Sequence, residues 1–218
     1  MITPSKSRCP GQLKPVAFVT ALGWCGAMTL LFTGCLSRPA LVHHTYALSG
    51  PAHSEAAAKT GDSVLMLRSC TVSPLFEDRA FVYRTGPGAY EHDPYAGFLA
   101  EPGTAVAIPV RDYLRHSGAF REVVEPGTML AADRWLEVYV SELYGDFRAG
   151  EQPAAVLTMR FLLFDSEKGS LSDVRLERSY TRRILLTENT AASVVAGWNQ
   201  ALAEIMTEVA AQLAGPKP

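Results

Sequence analysis

The chain has 218 residues, 20 Lys plus Arg against 22 Asp plus Glu, a formal charge of −2 and four cysteines. That balance offers neither the cationic face that nucleic acid demands nor a polybasic patch for anionic lipid, so no nucleic-acid partner is expected. No CxxC pair occurs, which argues against a redox or zinc role.

The N-terminus carries Lys6, Arg8 and Lys14 without an acid, and Val16 to Phe32 holds no charge. A charged start, an apolar stretch and a small residue before a cut make a secretory signal pattern. Its end, Leu31-Phe32-Thr33-Gly34-Cys35, is similar to a lipobox. In bacterial lipoproteins that motif directs diacylglycerol onto the cysteine sulfur, with cleavage between the residues that stand here as Gly34 and Cys35. The competing readings are an uncleaved N-terminal anchor and a buried helix. Removing residues 1–34 leaves 184, enough for one domain with a sizeable core. Cys9 and Cys25 depart with the signal and Cys35 is alkylated. Cys70 then stands alone, a small buried residue.

Residues 35–62 read as a lipidated tether with an early edge strand around His44 to Leu48. The folded domain is expected over 63–218, with a start near 44 if that strand belongs to it. Ser63 to Cys70 is an apolar run of buried-strand length, and Arg79 to Arg84 alternates as a second strand. "AYEHDPYAGFLAEPG" reads as an irregular or strand-like crossing. Thr104 to His116 has helical spacing with Gly118 as a stop. Pro109 should make that helix start late or bend, because it lacks a donor and crowds the preceding turn.

Three long strands follow at Trp135 to Tyr144, Ala155 to Asp165 and Val174 to Leu186. In the last, Arg175, Glu177, Ser179, Thr181 and Arg183 share one face, and Val174, Leu176, Tyr180, Ile184 and Leu186 share the other. The joins "YGDFRAGEQPA" and "DSEKGSLSD" are short enough for hairpins, so an antiparallel meander is expected. A helix from about Thr190 to Leu213 carries one apolar stripe of Val194, Trp198, Leu202, Ile205, Val209 and Leu213. It holds no Lys or Arg, which favours packing on a sheet over lying in a membrane interface. The expected class is α+β, an antiparallel sheet with two main helices packed on one face, behind a signal peptide and a tether.

The search for chemistry yields little. His43, His44 and His53 lie in the tether, and His116 at a helix end suits the macrodipole. Glu91-His92-Asp93 is the one acid–base or metal-ligating cluster, against a plain turn before Pro94. "TGPG" at 85–88 lacks the Lys and following helix of a phosphate loop, and no GxSxG or HExxH exists. Asp146 and Asp165 end strands and read as turn formers. Neither an enzyme nor a metal or other cofactor is expected.

Several segments in fixed order carry a resemblance: "HTYALSG", "EDRAFVYRTGPGAYEHDPYAGFLAEPG", "LRHSGAF", "VYVSELYGDF", "LTMRFLLFD" and "AGWNQALAEIMTEVAAQL". Over most of residues 44 to 213 the chain resembles the ABC-type transport auxiliary lipoproteins, the PqiC-like family. Phe98 and Leu99 stand where relatives usually carry a Trp before the acid–proline pair. The resemblance implies an α+β domain facing the periplasm, lipidated at Cys35. It also implies docking on an MCE-type lipid-transport protein that works with a permease and an ATPase. A homo-oligomeric ring is known for at least one member. Leu36 follows the cysteine where Asp would signal inner-membrane retention, so outer-membrane sorting is expected. Two rivals stand beside this reading. One is an outer-membrane lipoprotein of lipopolysaccharide export or cell-wall synthase activation. The other is a periplasmic hydrolase whose cleft joins His92 to a Ser or Asp.

Overall fold

The computed structural model describes residues 42–50, 58–59, 61–165 and 174–213. The signal sequence, Gly34, Cys35, His53 and the 166–173 join lie outside the described residues. The elements are β1 His44–Tyr46, β2 Val64–Val72, β3 Ala80–Gly86, β4 Ala89–Phe98, α1 Pro102–His116, β5 Glu122–Val124, β6 Arg134–Asp146, β7 Ala154–Asp165, β8 Val174–Leu185 and α2 Ala191–Leu213.

The eight strands form one sheet in an α+β fold. The expected meander is present, with β6–β7 and β7–β8 antiparallel along nearly their whole lengths. The sheet as a whole is mixed, however. β2 runs parallel to β5 and β6, β3 parallel to β6, and β1 parallel to β4. Strand periodicity reports which face a residue takes and is silent about strand direction. A long crossover permits parallel pairing, and the chain between β2 and β5 supplies one through β3, β4 and α1.

Of the two readings of "AYEHDPYAGFLAEPG", the strand-like one holds over Ala89–Phe98, which forms β4 with register shifts along its pairing to β3. It absorbs Pro94 at a register shift between the Ala80–Gly97 and Val82–His92 pairs, the kind of place a strand proline occupies.

α1 departs from expectation as well. It begins early, at Pro102, with the Ala105 amide donating to the Glu101 carbonyl at 2.8 Å. Proline is favoured in a first turn, where its missing donor is not needed. Pro109 sits inside the helix and is buried. Its interior position forfeits one backbone bond, and its buried ring offsets part of that loss. The helix stops where Gly118 takes φ 68°, the left-handed conformation suited to a glycine after the C-cap.

α2 starts on Thr190, whose Oγ1 accepts from the Ser193 amide at 3.2 Å, an N-cap contact. It packs on β7 and β8, while α1 packs on β2 and β5 and against α2, so both helices share one face. Its stripe is the core: Val194, Trp198, Ala201, Leu202 and Ile205 are fully buried, with Phe81, Phe161, Leu65 and Leu136 opposite. Arg182 on β8 reaches the polar side of α2, with Nε 3.1 Å from Glu204 and a second contact to Glu208. Residues before β2 join the domain too. β1 pairs with β4, Leu48 is buried, and the Ser49 amide donates to Asn199 Oδ1 at 3.0 Å.

Candidate interaction surface

The β3–β4 hairpin places the acid–base candidates of "YEHDP", and it sends them to separate partners. Glu91 Oε1 accepts from Thr85 Oγ1 at 3.2 Å. His92 Nδ1 lies 3.9 Å from Asp78 Oδ2, both side chains more than half exposed, a pair worth little in water. Asp93 Oδ1 accepts from the amides of Tyr95 and Ala96 at 2.7 and 3.1 Å, and its Oδ2 from the Tyr83 hydroxyl at 2.7 Å. Asp93 therefore fixes the chain around Pro94, as an Asx turn does. Burial first, then the Asp93 hydrogen bond, push the Tyr83 phenol well above its ordinary value.

Asp146 and Asp165 stand at opposite ends of the β6–β7 hairpin, facing Ala154 and Arg134 respectively. Each anchors an ion-pair network rather than a turn alone. Asp146, 1% exposed, receives Arg148 Nε at 2.9 Å and Nη2 at 2.8 Å, with Arg183 Nη1 on the same carboxylate. Hydrogen bonding from Arg148, with Arg183 adding to it, outweighs desolvation and holds the Asp146 carboxyl at about 2. Asp165 takes Arg175 Nη1 at 3.0 Å, with Arg134 at 3.9 Å. Arg148 is a sequence neighbour of Asp146, whereas Arg183, Arg175 and Arg134 reach these carboxylates only through strand pairing, which the sequence does not display.

Cys70 is half-buried on β2, and desolvation pushes its thiol up to about 12. Burial thus favours the protonated thiol over the nucleophilic thiolate at neutral pH. His116 Nδ1 lies 2.7 Å from the Asp112 carbonyl inside α1. His44 pairs in β1, and the His43 ring lies by Gly97 of β4. Among the described residues no three of His, Cys, Asp and Glu gather as metal ligands. Nor, among them, is any helix long and apolar enough to cross a membrane.

What the sequence reading missed is the distribution of exposed apolar residues. Val42, Tyr95 and Leu99 are 67%, 52% and 63% exposed around β1 and β4, and Met129 and Leu130 stand on the loop before β6. The signal was present in "DPYAGFLAEPG", where apolar residues outnumber what one buried face can take.

Fold and surface together define an α+β domain with two helices packed on one face of a mixed eight-stranded sheet. The family model of the ABC-type transport auxiliary lipoprotein component matches residues 46–210, and the chain belongs to that family. A crystal structure of a Xanthomonas campestris protein shares the fold, with TM-score 0.66, 20% identity, and coverage of 77% of this chain and 92% of that one. A second solved structure, of an uncharacterised protein, has TM-score 0.61 at 15% identity, covering 79% and 99%. A search of curated proteins finds no match.

Proposed function

We propose that this chain is an outer-membrane-anchored periplasmic subunit of an MCE-type intermembrane lipid transport system, acylated at Cys35 and docked on the MCE protein. The observation that carries the reading is the family match from the end of β1 to near the end of α2. In this reading residues 1–34 are removed at the Gly34–Cys35 bond, the chain from residue 35 leads from the lipid, and the domain runs from β1 near residue 44 to 218. The role is a fixed, folded attachment point for the transport machinery, with the permease and ATPase reached through the MCE protein. One acyl chain holds a protein only reversibly, and two or more make a stable anchor. A diacylglyceryl cysteine meets that requirement by itself, without a polybasic segment.

The test is radiolabelled palmitate incorporation, the mature N-terminus, and capture of partners from detergent-solubilised envelopes. Label should enter the wild type and not Cys35→Ala, the mature chain should begin at residue 35, and an MCE protein should be captured. Label in Cys35→Ala or a different N-terminus overturns the anchor. Capture of a β-barrel plug partner or a cell-wall synthase instead overturns the transport assignment.

A further inference from the structure

We propose that the outer face of β1 and β4, formed by His43, Tyr95 and Leu99, rests in the headgroup region of the lipid surface that holds Cys35. This rests on the anchoring reading above. The face follows from register. His44 pairs with Ala96, Thr45 with Gly97 and Tyr46 with Phe98, and paired residues point to the same side of a sheet. Ala96 and Phe98 are buried, and Tyr46 packs against Phe81 with ring centroids 5.5 Å apart, so that side is the core. Tyr95 and Leu99 flank Gly97 on the other side. A Cβ on Gly97 would come within 3.2 Å of the His43 ring, which places that imidazole in the same patch.

The course of the chain favours this surface for the lipid. Seven Cα steps separate Cys35 from Val42, a span of at most about 25 Å when fully extended. A compact chain the length of the domain is roughly 40 Å across. The Met129–Leu130 loop enters β6 at Arg134, whereas the β3–β4–β1 branch joins β6 at Gly145 and Asp146. Gly97 pairs with Ala80, three residues before the Tyr83–Gly145 pair, so the β1–β4 patch lies about eight strand residues, roughly 26 Å, from the Arg134 end. It is the exposed apolar surface from which the chain runs directly on toward Cys35.

The chemistry of the face suits a headgroup layer. Tyrosine is an interfacial residue, with an apolar ring and a polar tip. Beside Leu99, Arg79 and Glu101 pair with each other at 2.6 Å, so this rim presents little net charge. Contact of this kind is insensitive to salt, unlike attachment through a basic patch.

The experiment uses the acylated full-length lipoprotein in vesicles of phosphatidylethanolamine with phosphatidylglycerol, with and without brominated acyl chains. Tyr95→Trp and Met129→Trp proteins are compared with the parent, whose indoles set the background. The Tyr95→Trp protein should lose emission on brominated vesicles beyond the parent's loss, equally in dilute buffer and molar sodium chloride. Adding Leu99→Asp should reverse that loss, and Met129→Trp should match the parent. A parent that fails to float with vesicles removes the anchor and this inference together. A floating protein with Tyr95→Trp unquenched, or with Met129→Trp quenched instead, overturns the inference alone. Emission of Tyr95→Trp that responds only to added MCE protein assigns the face to a protein partner and likewise overturns it.

Discussion

Trp198 donates its indole Nε1–H to the Val156 carbonyl at 3.1 Å, joining the middle of α2 to β7 inside the core. The indole is fully buried, so an unmet donor there would carry a desolvation cost. Phe81 meets it edge-on at 5.0 Å and Phe98 stacks at 5.4 Å, which ties the β3–β4 hairpin to the same residue. Truncation to alanine should cost about 3–5 kcal/mol, the range for a core aromatic. Trp198→Phe keeps most of the volume and should cost less. Urea unfolding measures both, and an unchanged midpoint for Trp198→Ala would show that this residue does not organise the core.

Gly197, the neighbour of Trp198, sets how closely α2 approaches the sheet. A Cβ there would lie 2.6 Å from Ala155 Cβ and 2.9 Å from Leu186 Cδ2. Alanine is favoured over glycine in a helix by about 1 kcal/mol, and overpacking a core costs about 1–3 kcal/mol. Ala155 Cβ is fixed to a strand and cannot swing aside, so the steric cost should win. Gly197→Ala should lower stability by about 1–2 kcal/mol; a stabilised variant would mean that the helix moves away freely.

The Asp146 carboxyl, held at about 2, links stability to pH. Its folded value lies below that of an unfolded Asp, near 3.9, so the folded state binds the proton less tightly. The stabilisation is complete above about pH 4 and is lost as pH falls toward 2. The shift corresponds to about 2.5 kcal/mol at neutral pH. Wild-type stability should therefore drop between pH 4 and 2, and Asp146→Asn should flatten that part of the profile. A variant with the same acid limb would place the dependence on other carboxylates.

His92 and Asp93 are adjacent but should respond differently. The His92–Asp78 pair is exposed, so His92→Ala should leave stability within about 0.5 kcal/mol, as surface changes do. Asp93 satisfies three donors, and Asp93→Ala should cost about 1–3 kcal/mol. Hydrogen exchange would show the loss first at the Tyr95 and Ala96 amides. Loss of transport in His92→Ala at normal protein levels would return the His92 stretch to consideration as a chemical site.

The sequence by itself determined the elements whose pattern is long and periodic. The stripe from Val194 to Leu213 could bury itself only on one side of a helix, and the alternation from Val174 to Leu186 could serve only a strand with one polar face. Direction and partnership were decided by the tertiary structure. Nothing local in β2 says that it runs parallel to β6, because alternation is the same in either direction and the crossover through α1 selects it. The start of α1 at Pro102 was hidden by Pro109, whose local cost is outweighed where its ring is buried. Arg183 lies 37 residues from Asp146, and only the β7–β8 pairing brings them together. Tyr95 and Leu99 read as ordinary members of an apolar run until β1 closes on β4 and fixes which side of that run is covered. A pattern of residues sets what must be buried; the pairing of distant strands sets what is left outside.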